Sequence, residues 1–131
     1  MEERAIKLYS SEVRYIYRYN VGIIFLQGDI DFSVYQEINF FFEYLFEIRN
    51  SPIVIDLREV EFIDSTGGLR ILQESIKKLG YERLALSNVN ANIKRLFKIA
   101  NMNEIPIYAN VHQAVKELSV SVFDPPFDKA C

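Results

Sequence analysis

Cysteine and histidine are almost absent from this sequence, which has one of each, Cys131 and His112, among its 131 residues. A single thiol cannot form an internal disulfide or a cysteine-based metal site. No window contains the run of about eighteen apolar residues that a membrane-spanning helix needs. Residues 1–4 (Met-Glu-Glu-Arg) lack the apolar stretch of a signal peptide. We therefore expect a cytoplasmic protein that has no disulfide and does not enter a membrane.

An excess of positive charge is also lacking. The formal net charge is -3 at pH 7. The basic residues are scattered, as at 77–78 (Lys-Lys) and 94–95 (Lys-Arg), and form no stripe. There is thus no electrostatic reason to bind nucleic acid or an anionic membrane. Hydrophobic residues make up 50% of the chain, which argues against disorder, and the length suits one domain.

Predicted strands and helices alternate along the chain. Residues 13–19 alternate in the manner of a strand, and the apolar runs 23–26 and 53–57 are typical of short buried strands. Residues 20–22 are expected to turn between the first two strands, and Asn90 to cap a helix. The remaining strands are predicted at 83–87 and 106–108, and helices at 33–48, 72–79, 91–100 and 111–118.

This order, β-β-α-β-α-β-α-β-α, determines the expected fold class. Strands that alternate with helices predict an α/β fold, with a mixed four- to five-stranded sheet covered by about four helices. We expect one domain over residues 12–120, preceded by an extension at 1–11 and followed by a loose tail at 121–131.

The strongest local signal is the turn at residues 64–68 (Asp-Ser-Thr-Gly-Gly), between a predicted strand and a predicted helix. The first N–H groups of a helix are unpaired, and the helix dipole favours an anion beside them. A phosphate on Ser65 would be stabilised there, although Asp64 would repel it. The same pattern also fits a plain helix cap, with Gly67 and Gly68 relaxing a tight turn. The residues alone leave both interpretations open.

An enzyme is a weaker interpretation of this turn. A serine nucleophile needs a base within hydrogen-bond reach, and the one histidine, His112, belongs to the last predicted helix. Ile63 replaces the first glycine of a G-x-S-x-G elbow, and the sequence has no P-loop and no G-x-G-x-x-G. The neighbouring acids Asp29 and Asp31 are better explained as surface carboxylates than as a metal site. We expect no catalytic residue, metal or cofactor.

The first predicted helix carries an unusual number of aromatic residues. Its aromatic side chains, within residues 40–46, extend nearly all round the helix. A helix that is apolar all round is usually buried. Either it packs unusually deeply or part of it contacts a second molecule, for which a homodimer is one hypothesis.

Three stretches in order resemble the STAS domain, and in particular the bacterial anti-anti-sigma factors (anti-sigma factor antagonists). Residues 28–31 (Gly-Asp-Ile-Asp) are similar to the end of the family's second strand. Residues 55–67 are similar to its next strand and phosphorylation loop, and residues 88–101 to its third helix. The match in order and spacing extends over roughly residues 12 to 118, and the predicted element order agrees with the family's fold.

The resemblance implies a regulatory function. In such proteins the serine that follows the aspartate, here Ser65, is phosphorylated by an anti-sigma factor that is also a serine kinase. Phosphorylation blocks binding to the anti-sigma factor, and a phosphatase restores it, so that sigma-factor-dependent transcription is regulated. The domain is then a substrate and a binding partner, not an enzyme. The implied partner-binding residues are Asp31, Asp64, Ser65, Thr66, Gly67, Gly68 and Leu69.

One position departs from the family pattern. The family usually has Leu-Gly after the glycine of the loop, where this chain has Gly68 and Leu69. Ser65 is unaffected, but the inversion changes the docking surface and leaves the identity of the partner open. The alternative function is a STAS scaffold or regulatory interaction module that is not phosphorylated.

Overall fold

One sheet organises the chain. The computed structural model describes residues 2–7, 11–31, 39, 43, 51–64, 68–102 and 104–123. Across them the sheet has six strands in the order β1-β2-β3-β4-β5-β6. Strands β1 to β3 pair antiparallel and β3 to β6 pair parallel, so the predicted α/β fold with a mixed sheet is confirmed. The strands are β1 (Glu2–Lys7), β2 (Ser11–Arg18), β3 (Val21–Gly28), β4 (Ile53–Glu59), β5 (Leu84–Ser87) and β6 (Ile107–Tyr108).

Helices connect the parallel strands. Those in the described part of the chain are α1 (Gly68–Leu79), α2 (Ala91–Ile99) and α3 (Val111–Phe123), with a short 3-10 turn at Tyr81–Arg83. The predicted first helix and its aromatic cluster lie largely outside the described residues, although Asn39 and Glu43 are helical. No helix among the residues described is long and apolar enough to cross a membrane.

The sheet has one strand more than the sequence predicted. Strand β1 lies within residues 1–11, the predicted extension, and pairs with β2 from Glu2↔Tyr17 to Lys7↔Glu12. Its sequence, Glu-Glu-Arg-Ala-Ile-Lys, is mostly charged and has no clear apolar alternation. Charge is a common protection of edge strands against unwanted pairing. An edge strand of this kind therefore escapes a search based on hydrophobic patterns.

The β2–β3 hairpin turns at residues 19–20 instead of the predicted 20–22. Tyr19 and Asn20 both have positive φ, 55° and 62°, and strand β3 already begins at Val21. A two-residue turn in which both residues have positive φ matches the right-handed twist of the strands that it joins. Gly22 therefore lies inside a strand, where its N–H donates to the Pro52 carbonyl at 2.9 Å.

The core has two parts, one on each face of the sheet. Helices α1 and α2 cover one face, where Leu72, Ile93 and Phe97 meet alternate residues of β2 to β5. Helix α3 covers the other face and contributes Ala114, Val115 and Leu118. These are called the α1/α2 face and the α3 face below. The strand residues buried against them are Val13, Tyr15, Ile24, Leu26, Ile53, Ile55, Leu57, Leu84 and Leu86 on the first face, and Val21, Ile23, Val54 and Ala85 on the second.

Candidate functional site

The predicted site lies where two chain segments leave the sheet side by side. Strand β3 ends at Gly28, whose φ of 96° is favourable for glycine and reorients the chain. Ile30 then pairs with Ile63 in an isolated parallel bridge. The Ile30 N–H donates to the Phe62 carbonyl at 3.0 Å, and the Asp64 N–H donates to the Ile30 carbonyl at 3.1 Å. The two segments are thus joined by backbone bonds immediately before the candidate turn.

The bridge brings together two of the residues that the sequence predicted to bind a partner. Asp31 follows Ile30 and Asp64 follows Ile63, so the two aspartates occupy equivalent positions on adjacent parallel segments. Both are half-buried, and both interact with other groups of the protein. Asp31 and Asp64, both predicted to bind a partner, therefore lie side by side in the structure.

Apolar neighbours hold these aspartates in place. Ile30 is 1% exposed and Ile63 5%, so both side chains are anchored in the core of the α1/α2 face. Val60 is also buried, and its N–H donates to the Leu57 carbonyl at 3.1 Å where the chain turns out of β4. Such anchoring restricts the backbone of the two segments that precede the turn because well-packed side chains resist displacement.

The far side of the turn is the start of helix α1. Gly68 is its first residue, and the Leu69 N–H donates to the Asp64 carbonyl at 3.2 Å. The Leu69 side chain is only 5% exposed and packs in the core, so the inverted Gly-Leu pair directs its apolar side chain inward. Ser65, Thr66 and Gly67 lie outside the described residues, and their roles stay predictions.

Asn90 links this loop to the next one, a contact that the sequence did not reveal. Its Oδ1 accepts the Ile93 N–H at 2.8 Å, which confirms the predicted cap of helix α2. Its Nδ2 donates to the Val60 carbonyl at 3.3 Å and lies 3.5 Å from the Glu61 carbonyl. One side chain therefore caps a helix and supports the segment that leads into the candidate turn. An asparagine at a helix start signals only the first of these functions.

A buried carboxylate supports the same edge of the sheet from the α3 face. Asp56 is 4% exposed, and its Oδ1 accepts the Ser87 hydroxyl at 2.8 Å and the Asn88 Nδ2 at 2.7 Å. Asp56 and Ser87 are register partners in the parallel pair of β4 and β5. Asn88 has a φ of 54°, a left-handed conformation that asparagine tolerates better than most residues. The Asp56 bonds thus hold the loop that carries Asn90.

The surface beside the turn is acidic and carries one exposed aromatic ring. Asp29 and Glu61 are exposed near Asp31 and Asp64. Phe62 is 52% exposed, although its backbone is fixed by the bond to Ile30. His112 lies on α3 and lines a cavity of about 520 Å³ on the α3 face, with Arg14 and Asp56. No group of three or more His, Cys, Asp or Glu in the described part of the chain could hold a metal ion.

Solved structures share this architecture. An anti-sigma factor antagonist from Mycobacterium paratuberculosis superposes with a TM-score of 0.75 at 23% identity, over 83% of this chain and 94% of that one. The Bacillus cell fate determinant SpoIIAA in its phosphorylated form gives 0.61 at 15% identity, over 88% and 98%. The anti-sigma factor antagonist SpoIIAA in its unphosphorylated form gives 0.66 at 14% identity, over 88% and 95%.

At these identities the likeness is one of fold. A search of curated protein sequences gave no match. The sequence itself matches the model of the STAS domain over residues 13–114, which includes the bridged segments, the candidate turn and Asn90. This chain therefore belongs to the STAS domain family.

Proposed function

We propose that this STAS domain is a cytoplasmic anti-sigma factor antagonist that is switched off by phosphorylation of Ser65. Its partner is an anti-sigma factor with serine kinase activity, and a phosphoserine phosphatase reverses the modification. The observation that carries the proposal is the backbone-bonded pair of segments that places Asp31 beside Asp64, directly before Ser65 and the start of α1. A hydroxyl on a turn with firmly held flanks is well suited to recognition by a kinase.

The charge of the surrounding surface supports a switch from binding to release. A phosphoserine carries a charge of about −1.5 to −2 and three acceptor oxygens. It would follow Asp64 and lie near Asp31, so the local negative charge would rise sharply. A partner surface that accepts the unmodified turn would have to desolvate or neutralise this charge. A loss of about 4 kcal/mol in binding free energy would weaken affinity roughly a thousandfold.

The comparisons support the proposal at the level of the family. The neighbours of this fold include anti-sigma factor antagonists, and SpoIIAA has been solved in both phosphorylated and unphosphorylated forms. In this chain the corresponding docking surface would comprise Asp31, Asp64, Ser65, Thr66, Gly67, Gly68 and the backbone of Leu69. The domain itself would supply the acceptor hydroxyl, while the kinase would supply ATP and the catalytic groups.

Intact-mass measurement after incubation with ATP tests this proposal. Each anti-sigma factor kinase encoded in the same genome is incubated with the protein, and we expect one of them to add a single phosphate. The Ser65→Ala variant should remain unmodified. The matched control is Ser119→Ala, which removes a hydroxyl on α3 outside the proposed docking surface and should leave the added phosphate in place.

Binding measurements separate the switch from the scaffold alternative. Ser65→Asp should weaken binding to that kinase and leave the thermal midpoint nearly unchanged, because a turn at a helix start accommodates an acid. A kinase that binds the wild-type protein without ever changing its mass would favour an unphosphorylated scaffold. A large drop in the midpoint of Ser65→Asp would instead show that the turn is chiefly structural.

A further inference from the structure

A second surface feature lies at the edge of the sheet from which the candidate turn emerges. A cavity of about 490 Å³ opens between the end of β4, the β5–α2 loop and the end of β6. Its lining includes Arg58, Asn88, Asn90 and Lys94, together with Val89 and Tyr108. We call it the Arg58–Lys94 groove. A water molecule, which is comparable in size to a small ion, takes up about 30 Å³ in the liquid. The groove is therefore far larger than one small ion needs.

The charge of this groove is opposite to that of the chain. Arg58 and Lys94 are the charged members of its lining among the described residues, and both are exposed cations. The whole chain carries a net charge of -3, and the surface around Asp31 and Asp64 is acidic. Two exposed cations on one groove therefore favour an anionic partner group.

The groove and the candidate turn share their structural supports. Asn90 lines the groove, and its Nδ2 contacts the Val60 carbonyl on the segment that leads to Asp64. Asn88 also lines the groove and is held by the 2.7 Å bond to Asp56. Asn90 therefore connects the lining of the groove to the segment that leads into the turn. The half-buried Ile107 and Tyr108 in the lining offer apolar contact to a polypeptide, beyond what a free ion could use.

We propose that the Arg58–Lys94 groove receives an acidic segment of the protein that recognises the Ser65 turn. This inference rests on the proposed function, since its occupant is a carboxylate-bearing stretch of the same anti-sigma factor. The acidic turn would then contact a basic region of the partner, and the basic groove would bind an acidic region of the same partner. Complementary charges at the border of an interface chiefly increase the association rate and the discrimination among partners.

Charge reversal with a matched control tests the inference. The double variant Arg58→Glu/Lys94→Glu should bind the kinase about tenfold more weakly at low salt, mainly through slower association. The salt dependence of its affinity should also be smaller than that of the wild type. Lys116→Glu on α3 should bind within twofold of the wild type, whereas the single Lys94→Glu change should not. Circular dichroism on all variants verifies that each is folded.

Each possible result has a distinct meaning. Equal affinity of the double variant and the wild type would overturn the groove inference while leaving phosphorylation of Ser65 intact. Binding of inorganic phosphate to the groove at low millimolar concentration, with kinase binding unchanged by it, would assign the groove to a small anion and also overturn the inference. A wild-type protein that neither binds nor is modified by any of the kinases would refute the proposed function and this inference together.

Discussion

The two faces of the sheet are built differently, although the same strands supply both. The α1/α2 face is apolar along its whole length, from Val13 and Tyr15 on β2 to Leu84 and Leu86 on β5. The α3 face is apolar only where α3 covers it. Towards the carboxyl ends of the strands it becomes polar, with Arg14 4.7 Å from the Phe25 ring centroid and with the buried Asp56.

Because of this difference, one face chiefly stabilises the fold and the other chiefly positions the loops. Apolar burial contributes about 25 cal/mol per Å² and has no direction, so the α1/α2 face stabilises the fold as a whole. Hydrogen bonds to Asp56 add less net free energy, but they fix the positions of particular loops. Variants on the first face should therefore lower stability most, whereas variants of the polar group should lower it less and should also disturb the loops beside the site.

Phe97→Ala should have the largest effect of the variants considered. Phe97 is 1% exposed in the centre of the α1/α2 face, and truncation of a buried phenylalanine costs about 3–5 kcal/mol because a cavity remains. Chemical denaturation should show this loss in the free energy of unfolding. Ile99→Ala on the same helix is the control: Ile99 is 77% exposed, and its loss should change stability by less than about 0.5 kcal/mol. Similar losses for the two would contradict the assignment of this face as the core.

Asp56→Ala should cost less, at about 3 kcal/mol. It leaves the fully buried Ser87 hydroxyl and the Asn88 amide without their acceptor. Asp56→Asn retains an oxygen of the same shape and should cost less than about 1.5 kcal/mol. Denaturation measurements on both variants distinguish the loss of the acceptor from the loss of charge. Equal losses would show that the carboxylate charge matters more than the geometry of the bonds.

Asn90 offers the sharpest separation of stability from recognition. Asn90→Asp keeps the oxygen that caps α2 but removes the donor to the Val60 carbonyl. Its thermal midpoint should fall by less than that of Asn90→Ala because the cap is kept, while phosphorylation of Ser65 should slow by about twofold to fivefold, since the new carboxylate oxygen repels the Val60 carbonyl where the amide donated.

Asn90→Ala removes both bonds and is the matched comparison. It should lose about 1 kcal/mol of stability in addition, since a missing cap costs about that much. If Asn90→Asp were phosphorylated as fast as the wild type, Asn90 would be a cap and nothing more.

The sequence revealed those features that depend on local pattern. The apolar run at 53–57 became strand β4, and Gly80 ends helix α1 with a φ of 81°. The Asn90 cap was also predictable, because a side-chain acceptor before an amphipathic helix is a local signal. The fold class followed from the order of these elements. The bridge of Ile30 to Ile63 was less apparent, because it joins two segments that are far apart in the sequence.

Contacts that depend on strand register could not be predicted in the same way. Asp56 meets Ser87 because β4 and β5 pair in parallel with those two residues opposite each other. Nothing in either strand alone indicates that register, and a single aspartate within an apolar run does not reveal which residue it contacts. The second contact of Asn90 and the composition of the Arg58–Lys94 groove likewise require three separate segments to be in place.

Tyr19 lies in the hairpin turn outside both cores, and its replacement should have the smallest effect. A tyrosine with a φ of 55° is in a left-handed conformation that asparagine adopts more readily, and Tyr19 is 66% exposed. Tyr19→Asn should therefore stabilise the protein by about 0.5 kcal/mol, whereas the β-branched Tyr19→Val should destabilise it by about 1 kcal/mol. Both variants should be phosphorylated at the wild-type rate, because the turn is remote in sequence from Ser65 and its supports. If the phosphorylation rates of these two variants instead rose and fell with their stability, recognition would depend on global stability. That result would weaken the special role given to Asn90.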